Sequence, residues 1–464
     1  MSVTLKFLGG VGTVTGSSHL VSTAKSQILI DAGLFQGHRD EFYQANTSLS
    51  YNPHKIDALV LSHAHIDHCG NIPGIARKGL RCKIYATSAT KDLSGLMLED
   101  SGKIQEEDIK YVNKINRRLG LPLRRPLYTR KEAAAVVRRF RVLSYNQRFC
   151  LARDVFVTLY DAGHILGSSI IVLDIKGNLN NVRLGYAVDL GRKGLPLLND
   201  PVIPKGLDYL ILESTYGGRV HPPLEEARNK LKNAINRTIA RNGKVLIPSF
   251  TLERTQEVTY FLNELLREKL IPPIPIYVDS PMATDITEMF KYHIDDLDEE
   301  TRRAVKEGRG PFEFLNLKYI RNQEESKRLN NDKRPMIIIS SSGMCEAGRI
   351  LHHLKNNIED SRNTILVVGY MAKDTLGRRI VEKEKIVRIF GMEYEFNAEV
   401  VVVNSLSGHA DKNDLYDFVQ QCLPLKRIFL VHADPEQSQA LYETLAQKGL
   451  NVYIPSKDEE VLLN

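Results

Sequence analysis

The segment Ser62-His63-Ala64-His65-Ile66-Asp67-His68 places three imidazoles and a carboxylate within six residues. It follows an apolar, strand-like run, Ala58-Leu59-Val60-Leu61, and so falls in the kind of loop where metal sites are built. Imidazole and carboxylate together suit a borderline cation such as zinc. His63 and His65 alternate along an extended backbone, so both can point to one side. Asp67 and His68 come just beyond, where a turn can aim them at a second ion. So many ionisable groups beside a buried strand call for a cation to neutralise them. The reading is two bound metals.

The elements around this loop must position it. A chain of 464 residues exceeds what one hydrophobic core usually serves, so two domains are expected. Hydrophobic content of 42% and charged content of 26% are those of a soluble globular protein. The longest apolar runs, such as Val400–Val403, are strand-length, and none would span a membrane. The start, Met1-Ser-Val-Thr-Leu-Lys, lacks a signal-peptide layout. Five scattered cysteines without CxxC spacing read as reduced thiols, so the expected location is cytoplasmic.

Net charge is +7, but between Ile109 and Arg153 there are 13 basic residues and one acid, Glu132. That window carries +12, leaving −5 on the rest of the chain. Segregation of this kind is the footprint expected of a polyanion-binding face, and the window is read as a nucleic-acid track.

The glycine-rich run Gly9–Gly16 fails as a dinucleotide motif, because a strand-like segment and no helical pattern follows it. A hairpin is predicted there. From Asp208 onward strands and helices alternate. Strands are predicted at 244–248, 274–278, 335–340 and 364–368, with helices at 252–267 and 350–356 and a helix start in the acidic stretch 295–300. Such alternation implies a parallel sheet with crossover helices. This second domain reads as an insertion, with the chain returning to the first near Val400.

A dinuclear site needs further ligands. Asp31 follows Ile28-Leu29-Ile30, His164 lies in Asp161-Ala162-Gly163-His164, and Asp189 ends the strand-like 184–188 run. Glycines near His164 and Asp189 permit close backbone approach.

The order Asp31, His63-x-His65-x-Asp67-His68, His164, Asp189 is similar to the pattern of the metallo-β-lactamase superfamily. The later blocks resemble its β-CASP branch, which comprises nucleases. Glu213 in Leu-Glu-Ser-Thr-Tyr-Gly resembles motif A, His409 in Ser-Gly-His-Ala-Asp motif B, and His432 in Val-His-Ala-Asp motif C. Ser341-Ser342-Gly343-Met344-Cys345 and Gly369-Tyr370-Met371-Ala372 support it. The sequence departs from the usual pattern at Val188, Ala433, Asp434, Met371 and Asp374, and none of these removes a ligand. The resemblance covers nearly the whole chain.

The resemblance implies an α/β protein: a metallo-β-lactamase αββα sandwich with an inserted β-CASP α/β domain of mostly parallel sheet. The expected division is 1–207 and 395–464 for the sandwich and 208–394 for the insert. It implies one zinc on His63, His65 and His164, a second on Asp67, His68 and His432, and Asp189 bridging. Asp31 would orient a ligand or the bridging water. A hydroxide shared by the two ions would attack phosphorus, with Asp67 and Asp31 counted among the catalytic residues. His409 would serve as general acid, held by Glu213. Ser340–Gly343, at a strand–turn–helix, offers a phosphate seat on backbone N–H groups, and Ser249 and Arg254 lie in a similar turn. A cleft between the domains would favour single-stranded substrate.

The function expected is a zinc-dependent ribonuclease acting on single-stranded RNA in processing or decay. It resembles the compact bacterial and archaeal type akin to the mRNA 3′-end processing endonuclease. No C-terminal domain of the ribonuclease J kind and no N-terminal KH extension is seen. A noncatalytic zinc-containing RNA-binding scaffold and a DNA-directed nuclease are the alternatives. Partners are RNA and no membrane, with a homodimer left open.

Overall fold

The computed structural model describes residues 3–37, 39–177 and 180–464; Met1 and Ser2, at the head of the N-terminal segment read above, lie outside them. The chain forms two compact units, residues 1–193, 200–220 and 409–464 in one and residues 194–199 and 221–408 in the other.

The first unit is built on two seven-stranded sheets. Strand Val3–Gly9 shows why they face each other: Val3, Leu5 and Phe7 are buried while Thr4 and Lys6 are not, the period of two that puts one face inward. The first sheet runs in the order 460–463, 3–9, 18–22, 27–30, 58–60, 83–86 and 140–142. Its pairings from Gln27–Ile30 onward are parallel. The second runs 452–453, 427–431, 209–213, 182–187, 169–175, 155–161 and 149–152. Between the sheets lie Leu5, Phe7, Ile30, Val60, Leu159, Leu173, Leu184, Ile211 and Phe429. The outer face of the first sheet is covered through Ile72, Ile75, Leu98 and Val136, and that of the second through Phe418, Val419, Leu441 and Leu445. This is the expected αββα sandwich. The run Gly9–Gly16 links two antiparallel strands, as the hairpin reading required.

The second unit holds a six-stranded sheet in the order 317–319, 276–278, 337–340, 245–248, 364–367 and 399–402. Every pairing in it is parallel. Apolar clusters cover both faces, as a parallel sheet needs. The acidic stretch opens the helix Glu299–Lys306, whose cap is Asp298.

The units meet the chain at 220/221 and 408/409, later than the expected 207/208 and 394/395. Strand Tyr209–Glu213 pairs with strands 182–187 and 427–431 of the sandwich, which holds the segment there. Val400 does not return the chain to the sandwich: strand Glu399–Val402 pairs with Thr364–Val367 at the edge of the parallel sheet. Among the described residues no helix is long and apolar enough to cross a membrane.

Candidate metal centre and acid pair

Five parallel-paired strands of the sandwich deliver the site from their carboxyl ends. Asp31 and the 62–68 loop follow the adjacent strands Gln27–Ile30 and Ala58–Val60. Asp189, Glu213 and His432 end or follow the neighbouring strands 182–187, 209–213 and 427–431. His164 comes from the loop between strands 155–161 and 169–175, tied to the first loop by the Ser169 N–H donating to the Ser62 carbonyl at 2.9 Å.

Asp31, Asp189 and His432 take φ of 56°, 59° and 53°, a left-handed conformation uncommon outside glycine. Each turns sharply at a strand end and aims its side chain inward. Backbone of this kind clusters at functional sites, where surrounding contacts hold it.

Two four-donor sets form, His63, His65, His164 and Asp189, and Asp67, His68, Asp189 and His432, beside a three-donor group of Asp189, Glu213 and His409, with the donor atoms of each within 4.8 Å of one another. In the first, His65 Nδ1 lies 3.1 Å from His63 Nε2 and 3.3 Å from His164 Nε2. Burial drives the His63 and His164 pKa values well below 6.5, a pull that the Asp189 charge opposes without overcoming. Burial thus favours the neutral, lone-pair-bearing forms of His63 and His164, whose Nε2 atoms converge with His65 Nδ1 on one point as ligands to a cation do. In the second set, burial also lowers His432. His432 Nε2 lies 3.1 Å from Asp189 Oδ1 and 3.7 Å from Asp67 Oδ2.

Asp189 joins the sets. Its Oδ2 is 3.1 Å from His63, 3.4 Å from His164 and 3.5 Å from His68, while Oδ1 faces His432. Burial alone would raise its pKa, but the surrounding imidazoles, His432 and His68 foremost, hold it well below the usual carboxylate range.

His68 Nε2 is buried and has no hydrogen-bond partner. Its Nδ1 lies 2.7 Å from Asp31 Oδ2. Burial lowers the His68 pKa, yet Asp189 and Asp31 together raise it to about 9. A cation on Nε2 would take the place of that proton. The donor chemistry, the converging nitrogens and the orphaned Nε2 all fit metal.

Asp31 is fully buried and does more than orient one ligand. Its carboxylate accepts from Ser62 N–H, Ser62 Oγ and the Tyr186 hydroxyl, at 2.7, 2.7 and 2.8 Å. Burial and the Asp31 charge keep the Tyr186 phenol protonated, so it remains a donor. Ser62 and Tyr186 were missed in the sequence. Ser62 abuts the histidine cluster and could have been noticed; Tyr186 gives no local signal.

Beside the metal ligands, His409 Nδ1 lies 3.3 Å from Glu213 Oε2. Glu213 is wholly buried, and its other oxygen accepts the Leu190 N–H, one residue after Asp189. Burial lowers the His409 pKa, but the Glu213 charge and hydrogen bond outweigh it, with Asp189 and Tyr216 adding, and raise it to about 10. The His409 ring stands 4.6 Å from that of His164, and its side chain keeps 24% of its surface exposed. The sandwich therefore sets a partly exposed imidazole, favoured in its protonated form by the Glu213 charge, against the metal ligands.

Two glycines permit the close approach of these loops. A Cβ at Gly191 would fall 1.9 Å from the Gly163 carbonyl oxygen. One at Gly33 would fall 1.6 Å from the Asp67 carbonyl oxygen and 2.7 Å from Ser17 N. Gly33→Ala is expected to push the Asp67–His68 turn outward at a cost of about 2 kcal/mol or more. Elemental analysis should then find less bound metal than in the wild type; an unchanged content would mean that the turn yields without consequence.

The expected phosphate seat is corrected. Ser341–Gly343 do not open a helix: helix Ile350–Asn357 begins seven residues later, with Arg349 before it. The intervening loop closes on itself, Ser342 N–H donating to the Ala347 carbonyl and Ile350 N–H to that of Ser341. Those N–H groups are committed. Arg254 is held by Glu257 in a largely buried ion pair, and is therefore no free cation. Ser249 Oγ accepts from Thr255. These residues still share one end of the parallel sheet, since strands Val245–Pro248 and Ile337–Ser340 are neighbours and Phe250 packs over Gly343.

The basic window does not form a continuous face either. Arg130 pairs with Glu99 at 3.1 Å, Arg148 with Asp174 at 3.2 Å, and the Arg139 guanidinium donates to the Leu80 carbonyl. Much of the remainder gathers at the end of the 32-residue helix Ser88–Leu119. Thr90, near the start of that helix, donates to Gly167 in the His164 loop at 2.7 Å. At a rise of about 1.5 Å per residue, the helix cations Lys110 to Arg118 lie about 30–42 Å further along the helix.

Comparison with known proteins agrees with this geometry. A metallo-beta-lactamase superfamily domain model matches residues 20–193, a Beta-Casp domain model residues 255–380, and a Zn-dependent metallo-hydrolase RNA specificity domain model residues 393–455. Ribonuclease TTHA0252 of Thermus thermophilus is 33% identical over 98% of this chain and 98% of its own length. The chain belongs to the β-CASP family of the metallo-β-lactamase superfamily. Transcription termination factors FttA of Methanosarcina mazei and Pyrococcus horikoshii are 31% and 32% identical, over 95% and 98% of this chain and 68% and 70% of theirs. A crystal structure of a protein of unknown function from Enterococcus faecalis covers the whole of both chains with a TM-score of 0.58 at 14% identity, a likeness of fold. As in any β-CASP protein, the Beta-Casp segment interrupts the hydrolase domain in sequence.

Proposed function

We propose that this β-CASP protein is a zinc-dependent ribonuclease that hydrolyses phosphodiester bonds of single-stranded RNA in cytoplasmic processing or decay. The observation that carries the reading is a single buried carboxylate, Asp189, shared by two donor sets, with the Glu213–His409 pair beside it. The name of the Thermus thermophilus relative and the RNA specificity domain supply the substrate class.

In this reading His63, His65 and His164 hold one zinc, Asp67, His68 and His432 the other, and Asp189 lies between. Bound zinc supplies the Lewis acidity that makes water a nucleophile near neutral pH and offsets charge on phosphate oxygens. Asp31 keeps His68 oriented through Nδ1, and Ser62 and Tyr186 keep Asp31 in place. As water adds to phosphorus, the bond to the 3′-oxygen breaks and that oxygen needs a proton. His409 presents Nδ1 to Glu213, which leaves Nε2–H for the leaving oxygen. The products are a 5′-phosphate and a 3′-hydroxyl.

Zinc-loaded protein should cut a 5′-labelled single-stranded RNA, and cut the matching DNA at least about tenfold more slowly, roughly 1.4 kcal/mol of discrimination. Product lengths will separate internal cuts from end-directed degradation. No cutting of several RNAs, with two zinc ions per chain confirmed, would overturn the reading in favour of a scaffold.

A further inference from the structure

In the second unit a cavity of about 1030 Å³ lies among the helices Gln323–Asn331 and Ile350–Asn357, the loop before the latter, and the turn between strands Ile386–Ile389 and Met392–Glu395. None of its lining residues belongs to the metal donor sets. Its rim is aromatic. Phe390 is 55% exposed, and its ring lies 4.8 Å from that of His352 at 40°. The two-residue turn Phe390-Gly391 joins Ile389 to its paired Met392, with φ of 53° and 81°. Such a turn favours Asn-Gly, and a bulky side chain at positive φ is strained. The hairpin does not need Phe390 as an anchor, because Val387 and Ile389 are already buried in the apolar cluster of that sheet face. Strain kept for a half-exposed ring is the mark of a functional position. Burial, with His353 and Lys355 nearby, lowers the His352 pKa, so its ring is neutral and stacks as an aromatic.

The walls are polar. Asn330 gives its Oδ1 to His353 Nδ1 at 2.8 Å, which leaves its amide N–H groups; Asn356 donates to the His352 carbonyl at 2.7 Å, which leaves its Oδ1. A donor and an acceptor are what the edge of a base requires. Lys327, Arg349 and Arg388 line the cavity with one acid, Glu346. Glu346 accepts the Leu376 N–H, and Arg349 is committed to Asp279 and to the Ile320 and Arg321 carbonyls. Lys327 and Arg388 pair with exposed carboxylates of their own segments, Glu324 and Glu393, at 2.7 and 2.8 Å. Exposed pairs of this kind contribute little, so a phosphate can take their place.

We propose that this cavity binds one nucleotide, its base stacked on the open face of Phe390 with His352 behind, its edge on Asn330 and Asn356, and its phosphate on Lys327 and Arg388. The nucleotide belongs either to a single-stranded RNA chain or to a free nucleoside monophosphate. For RNA the inference rests on the nuclease reading for its substrate class, but its readout is binding and not cleavage.

The zinc-loaded full chain, carrying His409→Ala so that RNA stays intact, is titrated with a fluorescein-labelled single-stranded RNA by anisotropy and with AMP, GMP, CMP and UMP by calorimetry. Phe390→Asn is the decisive variant, because asparagine suits the turn. Its unfolding midpoint should equal or exceed that of the parent, while affinity falls about tenfold. Phe390→Tyr keeps the ring and should stay within about threefold of the parent. Lys327→Gln should weaken the same ligand and reduce its salt dependence. Loss confined to RNA makes the RNA chain the source, and loss confined to a monophosphate makes the free nucleotide the source. The proposal is overturned if neither RNA nor any monophosphate binds, if Phe390→Asn leaves every affinity within about threefold, or if binding is indifferent to Lys327→Gln. RNA that binds here yet is not cut once His409 is restored overturns the nuclease reading alone.

Discussion

Replacing His409 by alanine is expected to lower RNA cleavage by about 10²–10⁴-fold while bound metal stays at the wild-type level. The two parts of that result have separate causes. His409 approaches the ligand His164 with its ring but takes part in neither of the four-donor sets around Asp189. Its removal should therefore spare the ions. The leaving 3′-oxygen loses its proton source, and water is a poorer acid in that place. Glu213→Gln supplies the companion test. The Glu213 charge raises the His409 pKa to about 10, against the pull of burial. A raised pKa means that the cationic, proton-donating form persists through neutrality and is lost as pH climbs through that value. Without the Glu213 charge the pKa falls, so the alkaline limb of the pH–rate profile should move to lower pH. A profile that keeps its alkaline limb in Glu213→Gln would remove Glu213 from this role. Cleavage by His409→Ala within about threefold of wild type would remove His409 as the acid.

Asp189→Ala should have the other large effect, on metal and rate together. The two oxygens of Asp189 face different donor sets, at 3.1 Å from His63 and 3.1 Å from His432. Removing them leaves both sets with imidazoles in a buried space and one carboxylate, Asp67, at the edge. Metal content by elemental analysis should fall from two ions per chain to one or fewer, and cleavage should fall with it. Stability should report the same loss. A ligand bound only by the folded state at a hundred times its Kd stabilises by about 2.7 kcal/mol. Zinc should therefore raise the unfolding midpoint of the wild type and scarcely move that of Asp189→Ala. Asp189→Asn, which keeps the shape without the charge, should resemble Asp189→Ala. Two ions retained with near wild-type cleavage would show that the donor sets do not depend on their shared carboxylate.

Some of this was legible in the chain itself, and the reason is locality. His63, His65, Asp67 and His68 form a cluster because they are within six residues of one another, directly after an apolar strand. The alternation of apolar and polar residues in Val3–Gly9, and of strands and helices after Asp208, made the sandwich and the parallel sheet readable for the same reason. Tertiary structure decided what depends on distant segments. It set Glu213 against His409 across 196 positions through Leu190, whose N–H donates to Glu213 and whose carbonyl accepts from the Ala410 N–H, contacts that no local pattern encodes. It clamped Asp31 between Ser62 and Tyr186, residues whose types are ordinary anywhere else. It left His19, another histidine, neutral in the core with both ring nitrogens unpartnered, because burial outweighs everything else around it. It closed the Ser341–Gly348 loop on its own N–H groups where the sequence suggested an open phosphate seat. It also divided the basic window, tying some cations to nearby acids and carbonyls and carrying others to the far end of a long helix. The sequence by itself determined which residue types could bind metal and in what order; only the folded chain decided which of their atoms converge, because convergence is set by strand pairing between segments far apart in the sequence.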